Sequence, residues 1–179
     1  MSDNAANSRN NSGGQKVIEV LNRARAMELN AISQYMDEHF ILDDMDYGKL
    51  AKNIKLIAID EMRHAEQFAE RIKELDGQPT HEHTGSFKKG LPLKEIYPFN
   101  IGLEDDTIQN YNKFMQVCRE NNDNISADLF KRILKEEQEH QNYFDNENDH
   151  LNDLGQHYLA TVAGTPSSTG EPKRFAGGD

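Results

Sequence analysis

Apolar residues recur at intervals of three and four along most of the chain, and no segment sustains alternation at every second position. The spacing predicts a first helix over about Lys16–Ile41, with Leu21, Ala24, Glu28, Ile32, Tyr35 and His39 on one face. The polar stretch Asp43–Gly48 is a turn. A second helix follows over about Lys49–Leu75, with Leu50, Ile54, Ile57, Glu61, His64, Phe68 and Ile72 in register, and Gly77 and Pro79 end it. Pro79, Gly85, Gly90, Pro92 and Pro98 then break the pattern from Gly77 to Ile101. A third helix is predicted over about Leu103–Glu120, with Glu104, Ile108, Tyr111, Met115 and Cys118 on a face. After the Asn121–Asn124 turn, a fourth spans about Ile125–Asn152 and aligns Phe130, Ile133, Glu137, His140 and Phe144. A short helical piece follows Gly155, up to Ala163.

Loops as long as the Gly77–Ile101 stretch are uncommon in compact domains unless they do a job. A long crossover lets the third helix start at the far end of a bundle. The fold class is therefore all-α: an antiparallel four-helix bundle with a long crossover between helices two and three and a short fifth C-terminal helix. Residues 1–14, rich in Asn, Ser and Gly, read as a disordered arm, and residues 164–179 as a flexible tail.

Each helical face carries a glutamate where an apolar residue is expected. Glu61 stands 33 positions after Glu28, and His64 follows three later. Glu137 stands 33 positions after Glu104, and His140 follows three later. The two halves thus repeat one pattern, a Glu on one helix and Glu-x-x-His on the next. Positions i and i+3 lie about 60° apart around a helix and ~4.5 Å apart along it, so such a pair can grip one ion. Four carboxylates and two neutral imidazoles carry a charge of about −4, which two divalent cations cancel. Without them, buried carboxylates repel one another and are poorly solvated. Oxygen donors with imidazole suit iron or manganese. A lone Glu-x-x-His is common by chance. Two at matched spacing, each with a partner Glu, form the donor set of di-iron and di-manganese carboxylate bundles.

The segments Ala26–Tyr35 (AMELNAISQY), Asp60–Glu66 (DEMRHAE) and Glu136–His140 (EEQEH) resemble the bacterioferritin branch of the ferritin family. The resemblance covers about residues 15–163 and implies a ferroxidase, an oxidoreductase that converts Fe²⁺ to Fe³⁺ with O₂ or hydrogen peroxide. It implies two iron ions per subunit, with Glu28 and Glu104 as terminal ligands, Glu61 and Glu137 bridging, and His64 and His140 each holding one iron. It further implies a homo-oligomeric shell of twenty-four subunits, built from dimers, that stores ferric mineral, and an electron-donor protein for iron release. The fifth helical segment agrees with such a shell. Tyr35, seven residues beyond Glu28, resembles a family tyrosine that orients Glu104 by a hydrogen bond; ordinary core filling is the other reading.

The same resemblance implies a haem shared between two subunits and ligated by Met62. By helical geometry Met62 points away from Glu61, and the small neighbours Ala58, Ala65 and Ala69 leave room for a flat ring. Leu29, Ser33 and Met36 would complete the wall. On periodicity alone, adaptable interface packing explains a methionine equally well. Some members of the family carry a histidine on the cavity wall four residues ahead of the position of Asp60; here that position is Leu56, which puts an inner-surface iron site in doubt.

Composition narrows the partners. Twenty Lys and Arg against 31 Asp and Glu give a net charge of −11, which disfavours nucleic acid and favours cations. The single cysteine, Cys118, supports neither an internal disulfide nor a Cys-x-x-Cys centre, and its apolar surroundings suit a buried small hydrophobe better than a reactive thiol. No signal peptide and no run of about 20 apolar residues is present, so a cytoplasmic protein without membrane contact is expected. Three other readings compete: a haem electron-transfer protein, a rubrerythrin-like di-iron peroxidase without storage, and an inert structural bundle. The first needs Met62 but not Glu28 or Glu137. Missing Cys-x-x-Cys pairs and the fifth helix count against the second, and the matched spacing counts against the third.

Overall fold

The computed structural model describes residues 2–85 and 87–170, with side-chain detail from residue 13 onward. Its elements are α1 (Ser2–Asp44), α2 (Gly48–Glu74), α3 (Leu93–Glu120), α4 (Asn124–Leu154) and α5 (Gln156–Val162). There is no strand among the described residues, only one isolated backbone bridge between Tyr47 and Thr165. The helices make the expected four-helix bundle with a short fifth helix. None of them is long and apolar enough to cross a membrane.

α1 packs mainly on α2, and α3 on α4. Asn100 meets Glu38, Glu104 meets Tyr35, and Tyr111 meets Glu28, so α3 runs antiparallel to α1. That direction requires the crossover to travel the length of the bundle, and it does so along α1. Asn22 Nδ2 donates to the Gln78 carbonyl at 3.1 Å while its Oδ1 accepts from Thr80 N at 2.6 Å. Thr84 N donates to the Ala26 carbonyl, and the Gln34 amide both donates to and accepts from the backbone of Lys88. Asp37 accepts from Gly90 N at 3.1 Å. Asn22, Gln34 and Asp37, spaced along α1, thereby satisfy backbone groups that have no strand or helix of their own.

Two boundaries differ from expectation. α3 starts at Leu93, ten residues ahead of Leu103, because Pro98 lies inside the helix. Near the N-terminus of a helix a proline forfeits few backbone bonds. Burial of Ile96, Tyr97, Asn100 and Glu104 continues the helical period straight through it. α1 likewise starts at Ser2, ahead of Lys16 and through the stretch expected to be an arm. No proline interrupts residues 2–15, and extending a formed helix is far less costly than nucleating one. Among the residues whose side chains are described, the first in the core is Val17. Residues 171–179 of the expected flexible tail lie outside the described residues.

The buried side chains form two apolar clusters. One gathers the N-terminal half of α1, the C-terminal halves of α2 and α3 and the start of α4, with Leu21, Phe68, Phe114 and Phe130 among its members. The other joins Leu42, Leu50, Ile54 and Phe144 to the start of α3 and to Tyr158, Leu159 and Val162 of α5. Between them the bundle is polar. Cys118 is fully buried in the first cluster, and burial pushes its thiol up to about 12, in keeping with a packing role. At the start of α4, Asp123 accepts from Ser126 N at 2.9 Å as an N-cap, and Arg71 of α2 binds both of its carboxylate oxygens at 3.0 Å.

The chain beyond α5 returns to the α1–α2 turn. Gly164 N donates to the Asp46 carbonyl at 2.9 Å, and Thr165 Oγ1 accepts from Lys49 N at 2.7 Å, supplying α2 with a side-chain cap that Tyr47 does not provide. Gly48 permits this approach, since a Cβ there would lie 1.7 Å from the Thr165 carbonyl oxygen. We expect Gly48→Ala to cost about 1–3 kcal/mol in chemical denaturation and to raise amide exchange at Lys49 and Gly164. Unchanged stability and unchanged exchange at both amides would rule out this docking.

Candidate metal centre

The six predicted residues converge in the polar waist between the two clusters, one group from each of α1 to α4. Glu28, Glu61, His64, Glu104, Glu137 and His140 are all buried, at 6% exposure or less. Donor atoms of Glu28, Glu61, His64 and Glu137 lie within 4.8 Å of one another, and so do those of Glu61, Glu104, Glu137 and His140. Glu61 and Glu137 belong to both groups. The His64 and His140 rings stand 5.9 Å apart.

Both imidazoles turn Nδ1 inward. His64 Nδ1 lies 3.0 Å from Glu61, 3.1 Å from Glu137 and 3.8 Å from Glu28. His140 Nδ1 lies 3.1 Å from Glu61 and 3.6 Å from Glu137. Each Nε2 faces outward to a carboxylate on the opposite helix, Glu136 for His64 and Asp60 for His140. These two acids precede the two Glu-x-x-His motifs, and reading the motifs as Asp-Glu-x-x-His and Glu-Glu-x-x-His would have found them.

The tyrosines are reciprocal as well. The Tyr35 hydroxyl donates to Glu104, so the orienting role is realised, and the Tyr111 hydroxyl donates to Glu28. Tyr111 stands seven residues after Glu104 just as Tyr35 stands seven after Glu28, a second repeat that motif reading passed over. Glu28 and Glu104 are thereby each held from the helix that bears the other.

The electrostatics show what this arrangement lacks. Burial first, then the charges on Glu137 and Glu61, hold the Glu28 and Glu104 carboxyls well above the usual range. Burial also opposes charge on Glu61, but the close approach of the His140 and His64 imidazoles overcomes it and keeps that carboxyl below the usual range. Burial would lower His64, yet Glu137 and Glu61 push it up to about 12. His140 is raised likewise by Asp60, Glu137 and Glu61. Both imidazoles and the Glu28 and Glu104 carboxyls are thus shifted toward holding protons where cations would neutralise the carboxylates. Among the described residues, Glu61 Oε1, Glu137 Oε1 and His140 Nδ1 are buried without a hydrogen-bond partner. Bare donors of this kind, aimed at a common centre, fit metal ions.

A cavity of about 260 Å³ opens between α1 and α3 beneath the crossover. The glutamates of all four helices line its inner end, and Asn30, Thr84 and Gly85 line it under the crossover. Met62 is 53% exposed on the other side of α2, beside buried Ala58 and Ala65, with Leu29 and Met36 half-buried and Ser33 exposed. The structure thus keeps Met62 apart from the six-residue cluster. Leu56 is also exposed.

Comparison with known proteins gives the same picture. The model of the ferritin-like domain family matches residues 18–154. A bacterioferritin of Desulfovibrio desulfuricans is 59% identical over 155 residues, covering 87% of each chain. The bacterioferritin BfrA of Mycobacterium tuberculosis is 32% identical, covering 86% of this chain and 98% of its own. Among solved structures, the D. desulfuricans bacterioferritin, determined with its diiron site in different catalytic states, superposes with a TM-score of 0.90 at 55% identity, over 93% of this chain and 96% of that one. With its fold, its paired half-sites and these relatives in agreement, the chain belongs to the bacterioferritin family of ferritin-like proteins.

Proposed function

We propose that this chain is a ferroxidase and iron-storage protein, which oxidises Fe²⁺ at a di-iron centre and holds the ferric product in a shell of like subunits. The observation that carries the reading is the pair of four-donor groups sharing Glu61 and Glu137. In this assignment Glu28 and Glu104 are terminal ligands, Glu61 and Glu137 bridge, and His64 and His140 each bind one iron through Nδ1. An iron pair held there would supply the two electrons needed to reduce O₂ or hydrogen peroxide. The residues do the rest: Tyr35 and Tyr111 fix the terminal carboxylates, and Asp60 and Glu136 face the outer nitrogens of the imidazoles. The cavity between α1 and α3 gives Fe²⁺ a path to the four carboxylates. The functional domain spans residues 15–163, flanked by segments 1–14 and 164–179. Twenty-four subunits, a cytoplasmic setting and an electron donor for iron release complete the reading, which rests there on likeness to bacterioferritins.

Met62, exposed on α2 among small neighbours, is the proposed ligand of a haem shared by two subunits. A flexible apolar thioether half in solvent is understandable if a partner surface and a porphyrin cover it.

Three outcomes test these assignments. Glu61→Ala with Glu137→Ala should abolish fast Fe²⁺ oxidation in stopped-flow absorption while the shell still assembles by native mass; oxidation at the parental rate refutes the ligand set. Metal binding should release protons. His64 is pushed up to about 12, and His140, Glu28 and Glu104 are shifted upward as well, so protons compete with metal for these groups and raising the pH strengthens binding. We expect net proton release when Zn²⁺ is added in an unbuffered titration, and affinity that falls about tenfold per pH unit of acidification for each proton displaced. Binding without proton release contradicts the assignment. Finally, Met62→Leu should remove the visible haem band of the purified protein, and a band that survives excludes Met62 as ligand.

A further inference from the structure

The two metal positions use the same residue types, yet their outer contacts differ. His64 Nε2 lies 3.0 Å from Glu136 Oε2 in hydrogen-bonding geometry. The matching acid, Asp60, lies 3.9 Å from His140 Nε2, beyond hydrogen-bond reach. Its other oxygen instead accepts a 2.7 Å hydrogen bond from Arg63 Nη1. The inner contacts follow suit. His64 Nδ1 makes a 3.0 Å hydrogen bond to Glu61, whereas His140 Nδ1, 3.1 Å from Glu61 Oε1, is not in hydrogen-bonding geometry with it.

The origin of the difference is written in the two motifs. Asp60-Glu-Met-Arg-His64 aligns with Glu136-Glu-Gln-Glu-His140, so Arg63 corresponds to Glu139. Arg63 donates to the acid three residues before it; Glu139 has no proton to donate to Glu136 and leaves that carboxylate free for His64. Glutamate also reaches one methylene further than aspartate across the gap between α2 and α4.

A carboxylate that accepts the outer N–H of a metal-bound imidazole fixes the tautomer and ring orientation and makes the inner nitrogen a better donor. Resting on the two-metal reading above, we propose that Glu136 is a positioning residue for His64, and that the Arg63–Asp60 pair withholds the matching contact from His140. The two positions are then unequal, and the one formed by Glu28, Glu61, His64 and Glu137 fills first.

Anaerobic titration of the metal-free, full-length protein with Co²⁺, followed by its visible absorption and by calorimetry, tests this. The expected result is two ions per subunit in two steps, the first at least about tenfold tighter. Glu136→Gln, at a half-exposed position, should weaken the first step about 10–100-fold and leave the second in place. Arg63→Gln should free Asp60 and tighten the second step severalfold without moving the first. Two ions binding with one constant, or Glu136→Gln shifting both steps or neither, overturns the inequality while leaving the two-metal centre standing. Failure of Co²⁺ to bind at all overturns both.

Discussion

Four carboxylates buried at one level of a helical bundle are the constraint on which the rest of this structure depends. Ionised carboxylates removed from water are costly unless each is paired and hydrogen-bonded. Here each of α1 to α4 contributes one, so the registers of these four helices are tied to one another. Two apolar clusters, above and below, hold the four helices in register around that level. Apolar packing fixes the distances between donors, and the donors in turn demand cations or protons.

The arrangement solves the problem twice over with one half-site. Glu28 with Glu61 and His64, and Glu104 with Glu137 and His140, are copies separated by equal spacing, and their supports cross from one copy to the other. Tyr111 serves Glu28 and Tyr35 serves Glu104, while Glu136 serves His64 and Asp60 faces His140. Such exchange makes each half incomplete alone. The symmetry is approximate, and it fails on the outer surface, where Arg63 has no counterpart on α4. A bacterioferritin-family chain that handles two irons in one site has, in that difference, a means of treating them unequally.

How much of this was visible in the chain varies with the physical origin of each feature. The six cluster residues, the helix order and the need for a crossover follow from periodicity and spacing, because a polar residue on an apolar face is conspicuous. Asp60, Glu136 and Tyr111 were hidden for the opposite reason. Two are acids on exposed or half-exposed positions of a chain rich in them, and the third sits where any core aromatic would. Pro98 and Gly102 disguised the start of α3, since local propensity argues against a helix that burial of Ile96 and Tyr97 nonetheless enforces. Nothing local marks Asn22 and Gln34 as anchors of the crossover. Their partners lie more than fifty residues away and are backbone groups.

The central claim is that one buried waist holds two irons between shared glutamates. Anomalous diffraction at the iron absorption edge, from crystals loaded with Fe²⁺ without oxygen, tests it most directly. The account predicts two peaks per subunit, one among Glu28, Glu61, His64 and Glu137 and one among Glu61, Glu104, Glu137 and His140. A single peak, or iron bound elsewhere with this cluster empty, contradicts it.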